Sequence, residues 1–253
     1  VHNDTCYPAL LVIGQMIDAL ESGKYDVDKV ALLITQTGGG CRASNYIHLL
    51  RKALKRNGYE QVPVISISLG MEKNPGFNLT PTMLDRIFYA ILYGDLLMLL
   101  VNQVKPYECA SGAADRLVAS WVERLTADMK GRGLLSYAGV RRNYKKIVEE
   151  FARIPRRVEK KIRVGIVGEI YVKFSPLGNN HLEDFLLSEG CEPVVPGLLD
   201  FCLYCVYNQL MDHKLYGLHS KLSNAEMKVV YRMLVKKQRD VIRTVTDEGT
   251  FRP

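Results

Sequence analysis

Thr35-Gln-Thr-Gly-Gly-Gly-Cys41-Arg-Ala-Ser-Asn-Tyr46 joins two segments of different period. Before it, Val30-Ala-Leu-Leu-Ile34 is a short apolar run that reads as a buried strand. After it, Tyr46, Ile47, Leu49, Leu50, Ala53 and Leu54 recur at helical spacing. Three consecutive glycines cost backbone entropy, and what they provide is close approach of main-chain N–H groups to a ligand. The Cys41 thiol falls near a helix N-terminus, where the dipole favours thiolate over thiol. A thiolate among backbone donors suits a nucleophile or a ligand for an iron–sulfur cluster. A tight strand-to-helix turn with a half-buried cysteine accounts for the same residues.

A second thiol is placed alike. Asn3-Asp4-Thr5-Cys6-Tyr7-Pro8 starts a helix, with Asp4 or Thr5 as cap and Pro8 in the first turn. Leu10, Leu11, Ile13, Gly14, Ile17 and Leu20 carry it to about Gly23. Gln61-Val-Pro-Val-Ile-Ser-Ile-Ser-Leu69 reads as a second strand, so residues 30–69 form a β-α-β unit. In parallel α/β units the loops that start helices gather at the carboxyl ends of the strands, the usual ligand edge.

From Thr80 the periodicity is helical, with a break at Pro106 and a corner, Lys105-Pro-Tyr-Glu-Cys109, between two helices. A third helix spans about Arg141 to Ala152. Lys161-Ile-Arg-Val-Gly-Ile-Val-Gly168 reads as another buried strand, Glu169 to Asn180 as its loop, and Glu192-Pro-Val-Val195 as a short strand. Gly168-Glu169 is no GxGxxG and no P-loop lysine follows, which leaves nucleotide binding by either motif unsupported. Two further helices start near Leu198 and Asn224, and residues 246–253 read as a frayed tail. The fold expected is α/β, two Rossmann-like parallel-sheet lobes with an intervening helical block. The boundaries are 1–79 for the first lobe, 80–160 for the block and 161–253 for the second lobe with its C-terminal helix.

Composition fits a globular chain: 253 residues, 47% hydrophobic and 24% charged. No run reaches the about 18 uninterrupted apolar residues of a spanning helix, since Gly94 and Asp95 break the longest one. Net charge is +7, concentrated in Arg141–Lys146, Arg153–Arg163 and Lys236–Arg239. These runs lack interleaved aromatic residues, so they read as solvated helix faces or as a surface for an anionic ligand or partner rather than for nucleic acid. Six cysteines without the spacing of a secreted scaffold point to a reducing cytoplasm. Cys202-x-x-Cys205 has half of a metal motif, but no second pair has zinc spacing, and on a helix the two read as core cysteines. The start at Val1, without Met or signal architecture, reads as a piece of a longer protein.

Asn3–Gln15, Gln36–Tyr46, Tyr93-Gly-Asp95, Lys105-Pro-Tyr-Glu108 and Gly168–Phe174 together resemble the 2-hydroxyacyl-CoA dehydratase family. The nearest likeness is to the dehydratase-like segment of CoA-substrate-specific enzyme activases. The resemblance implies Rossmann-like lobes holding a [4Fe-4S] cluster at a hydroxyacyl-CoA site. A separate ATP-hydrolysing activator injects one electron there, and radical dehydration follows. Nothing in this chain resembles that activator's phosphate loops, so ATP hydrolysis is not expected of it. Cys6 and Cys41 match the family's cluster cysteines. Cys109, in the Tyr107-Glu108-Cys109 corner, is the third candidate by position. Gly38, Gly39 and Gly40 supply amides for cluster sulfurs, Arg42 a charge for the cluster or an anionic ligand, and Glu108, Glu169 and Tyr171 polar groups at the ligand edge.

Two other functions remain open at this point. One is a non-catalytic docking module for an acyl-CoA, a partner subunit or other parts of the same long chain. The other is a thiol enzyme with Cys41 as nucleophile, which needs a base. The five histidines (His2, His48, His181, His213 and His219) have no telling spacing, although His48 follows on the same helix.

Overall fold

The computed structural model describes residues 6–35, 41–67, 80–131, 133–218 and 220–253, with the side chains of Arg42 and Ile67 left aside. In order they form α1 (Tyr7–Glu21), β1 (Leu32–Thr35), a 3-10 turn (Arg42–Asn45), α2 (Tyr46–Arg56), β2 (Val64–Ile67), α3 (Pro81–Val104), α4 (Ala113–Met129) and α5 (Tyr137–Ala152). There follow β3 (Arg163–Gly165), α6 (Ile170–Phe174), α7 (Pro176–Asn179), α8 (Leu182–Ser188), β4 (Glu192–Val194), α9 (Leu198–Tyr216) and α10 (Lys221–Glu248). They group into two compact units, residues 1–79 with 174–180, and residues 80–173 with 181–253.

The first unit is a small β-α-β motif. β1 and β2 pair in parallel, Leu32 opposite Val64 and Thr35 opposite Ile67. Ile47, Leu50 and Leu54 make one stripe of α2 and pack with Leu20 of α1, Ile34 and Val62. Lys55 and Arg56 face the negative end of the α2 dipole, and Gly58, at φ +78°, turns the chain away. The strand is less buried than its apolar run suggests: Leu33 remains 48% exposed.

The second unit is built on helix packing. Thr80 Oγ1 accepts the Met83 N–H to cap α3, with Pro81 in the first turn. Tyr89, Leu92, Tyr93, Leu96, Leu100 and Val104 of α3 meet Trp121 and Leu125 of α4, Val140, Tyr144, Ile147, Val148 and Phe151 of α5, and Leu234, Val241 and Val245 of α10. Among the described residues α3 alone is long and apolar enough to cross a membrane, and here its apolar face is the centre of this core.

The expected two Rossmann-like lobes are therefore corrected. The described residues are mostly helical and hold only two sheets, each of two short parallel strands. The physical reason is clearest in the second half. Residues 161–168 carry an apolar run, but only Arg163–Gly165 pairs, with Glu192–Val194, and Val167 stays 83% exposed. The helices α9 and α10 pack on α3 and α5 instead of covering a sheet. A short apolar run does not say whether it will be sandwiched between layers. The tail is corrected too: α10 continues to Glu248, and Phe251 is 5% exposed within the helical core.

Candidate functional site

Cys6 occupies the N-cap position of α1 in an extended conformation and makes no side-chain cap. Its carbonyl accepts the Leu10 N–H, and its half-buried Sγ lies 3.1 Å from the Tyr46 hydroxyl. Tyr46 opens α2, so the two helix starts lie side by side at one end of the first unit. Cys41 caps the 3-10 turn that leads into α2. Its Sγ accepts the Ala43 N–H at 3.5 Å, and its carbonyl accepts the Ser44 hydroxyl at 2.7 Å. Cys41 is exposed. Gly38, Gly39 and Gly40 lie outside the described residues, as does the Arg42 side chain. His48 is exposed on α2.

The remaining sequence candidates, Glu108, Cys109, Glu169 and Tyr171, belong to the second unit. Cys109 is exposed, and its N–H donates to the Pro155 carbonyl at 2.9 Å. Glu108 is buried, and its carboxylate accepts the N–H of Gly112 and, at 2.9 Å, that of Ala114. It thus caps the start of α4, where Gly112 sits in the left-handed region at φ +76°. Glu169 is exposed and accepts the Val172 N–H at 3.0 Å at the start of α6. Tyr171 is half-buried on the same short helix.

Three polar arrangements in this unit were not legible in advance. Asp95 on α3 accepts the N–H groups of Leu198 and Leu199, both at 2.8 Å, and so caps α9 from about one hundred residues away. Burial pushes its carboxyl above the ordinary range, against the opposing effect of those two N–H bonds. Gly197 leaves room for that carboxylate: a Cβ would stand 2.5 Å from the Asp95 Oδ2 and force it to move. Glu192, 3% exposed on β4, takes Arg163 Nε at 2.9 Å and the Tyr107 hydroxyl at 2.7 Å. Burial, then Glu192, raise the Tyr107 hydroxyl's pKa. The third joins α5 to α10: Tyr137 donates to Asp240 beneath the Lys237 ammonium, which burial shifts down. Cys202 is half-buried against the helical core and Cys205 is exposed; burial is the main cause raising both thiols.

No protein-family model, curated protein or solved structure matches this chain. An iron–sulfur cluster takes thiolate ligands. Cys6 and Cys41 have that chemistry and start neighbouring helices. Among the described residues no three His, Cys, Asp or Glu side chains are grouped to hold a metal ion. The described side chains thus offer two thiols of the right chemistry and not a full ligand set.

Proposed function

We propose that this chain is a cysteine-bearing segment of an iron–sulfur protein of the 2-hydroxyacyl-CoA dehydratase or activase type, working in the cytoplasm. One observation carries the reading: Cys6 Sγ meets the hydroxyl of Tyr46, five residues beyond Cys41, so two thiols start adjacent helices. When bound, a [4Fe-4S] cluster supplies one-electron chemistry. The chain's part is to hold it. Cys6 and Cys41 are the ligands offered by the first unit; the Tyr46 hydroxyl lies within hydrogen-bond distance of the first sulfur, and the Ala43 N–H donates to the second. Donors to sulfur set a cluster's potential.

The test is iron and sulfide content, with an absorption spectrum, on protein prepared without oxygen, beside Cys6→Ala, Cys41→Ala and Cys109→Ala. A brown protein that loses its iron in the first two variants supports the reading. The Cys109 variant asks whether the second unit supplies a thiol. A colourless parent after anaerobic reconstitution overturns the reading for this segment.

The docking-module alternative has its own observation. Tyr204, Tyr207, Leu215 and Tyr216 are exposed on α9, a large apolar and aromatic display for one helix. Saturable retention of a partner subunit by iron-free protein, lost in Tyr204→Ser with Tyr216→Ser, would favour it.

A further inference from the structure

The second unit has a cavity of about 510 Å³ walled by the segment after α5, the corner after α3 and the last residues of the chain. Four arginines line it, Arg153, Arg156, Arg157 and Arg252, against two acidic residues, Glu159 and Glu192. Both carboxylates are already matched. Glu192 is paired with Arg163 at 2.9 Å, and Glu159 with Lys161 at 3.2 Å. None of the four lining arginines has an ion pair among the described residues. Among the described residues the lining therefore carries an excess of positive charge, and walls of protein focus such a field.

The walls are held by the backbone. The Arg157 N–H donates to the Tyr107 carbonyl at 2.8 Å, which fixes the segment after α5 to the corner. The Gln103 side-chain amide grips Arg252 from both sides, donating to its carbonyl at 2.8 Å and accepting its N–H at 2.9 Å. Phe251 is buried beside it, and the Arg156 guanidinium stacks on its ring at 4.9 Å. Like charges brought together this way repel, and a structure that holds them with fixed main chain is suited to an anion that relieves the repulsion.

We propose that this cavity binds a small phosphorylated molecule with at least two negative charges. Guanidinium forks match phosphate oxygens two at a time, four of them exceed what a single monoanion neutralises, and the volume falls within the about 300–1,000 Å³ of small-molecule sites. The site lies wholly within the second unit and is independent of the thiols of the first.

The experiment is calorimetric titration of the full chain at low ionic strength with pyrophosphate, orthophosphate and citrate. Pyrophosphate is expected to bind one to one, tighter than either of the others. Arg156→Gln and Arg252→Gln should each weaken it about tenfold, the loss of one charge-assisted contact. Arg239→Gln, an equal change of charge on exposed α10, should leave it unchanged. Fluorescence of Trp121, the sole tryptophan, checks folding of each variant, and Arg153→Gln replaces Arg156→Gln if that one fails to fold. No saturable binding, equal weakening by Arg239→Gln, or citrate or orthophosphate binding as tightly as pyrophosphate would overturn the proposal. So would a single-stranded oligonucleotide that displaces pyrophosphate and binds more tightly.

Discussion

The two units start their helices differently. In the second unit two helices take a carboxylate at their first N–H groups, Glu108 for α4 and the distant Asp95 for α9, while α3 and α10 are capped by the hydroxyls of Thr80 and Ser220. In the first unit the positions at the starts of α1 and of the turn into α2 belong to thiols, Cys6 and Cys41, and Cys6 caps nothing with its side chain. A carboxylate is the better cap, being charged and acceptor-only. A thiol at such a position gives up cap strength and keeps a soft ligand available. The second unit puts its polar groups into holding helices together, whereas in the first the Cys6 sulfur caps nothing and the Cys41 sulfur takes a single N–H.

Glu108→Ala is the hardest blow to this contrast. It leaves two N–H groups unpaired at a buried helix start, and a loss of about 2–3 kcal/mol is expected from urea unfolding followed by Trp121 fluorescence. A loss under half of that would mean water replaces the carboxylate and the cap is incidental. Gly197→Ala comes next, at about 1–3 kcal/mol, because the new Cβ pushes against the Asp95 carboxylate. Free accommodation there would show that α9 slides on α3.

Asp95 sharpens the comparison through pH. Its folded carboxyl holds a proton more tightly than an unfolded aspartate does, since burial raises it. Its contribution is therefore fully present below the ordinary aspartate range of about 3.9 and is lost as pH rises through the raised value. In Asp95→Asn that decline should be missing from unfolding midpoints taken across the acidic range. An unchanged pH profile would mean the carboxylate is better solvated than its surroundings indicate.

The smallest effects are expected where the thiols are. Cys6→Ala should cost under about 1 kcal/mol, and exposed Cys41→Ala should stay within about 0.5 kcal/mol in thermal melts. A large loss from either, in iron-free protein, would make these sulfurs structural and erase the difference between the units.

Much of the helical part was legible because its signals are local. Thr80-Pro81 caps α3, Pro106 ends it, and Val140, Tyr144, Ile147 and Phe151 repeat at helical spacing. The β1–β2 pair was legible from two apolar runs flanking a helix. The lobes were not, because the number of strands in a sheet depends on partners that no single run records. The run at residues 161–168 shows this: it has β-forming residues, yet only Arg163–Gly165 form a strand, and that strand pairs with β4 alone. The tail misled because Phe251 is buried in a core built mainly from helices far back in sequence. The corner at Tyr107 and Glu108 read correctly as polar, but a sequence does not say whether such a corner faces a ligand or the next helix. Here Glu108 faces α4, and Tyr107 faces Glu192. The two thiols were legible as helix starters, since a cap position is a property of adjacent residues.

The first unit is discontinuous, and this bears on how the chain is made. Its small helix α7 packs on α1, yet it is translated only after α3, α4 and α5. At about 5–20 residues per second, roughly 5–20 s of synthesis separate residue 79 from residue 174. Through that interval the side of α1 that meets α7 has no native cover. The helices of the second unit are emerging from the ribosome at the same time, with apolar faces of their own. Synthesis thus separates two packing partners, and a nascent chain halted in this window exposes the side of α1 that α7 covers.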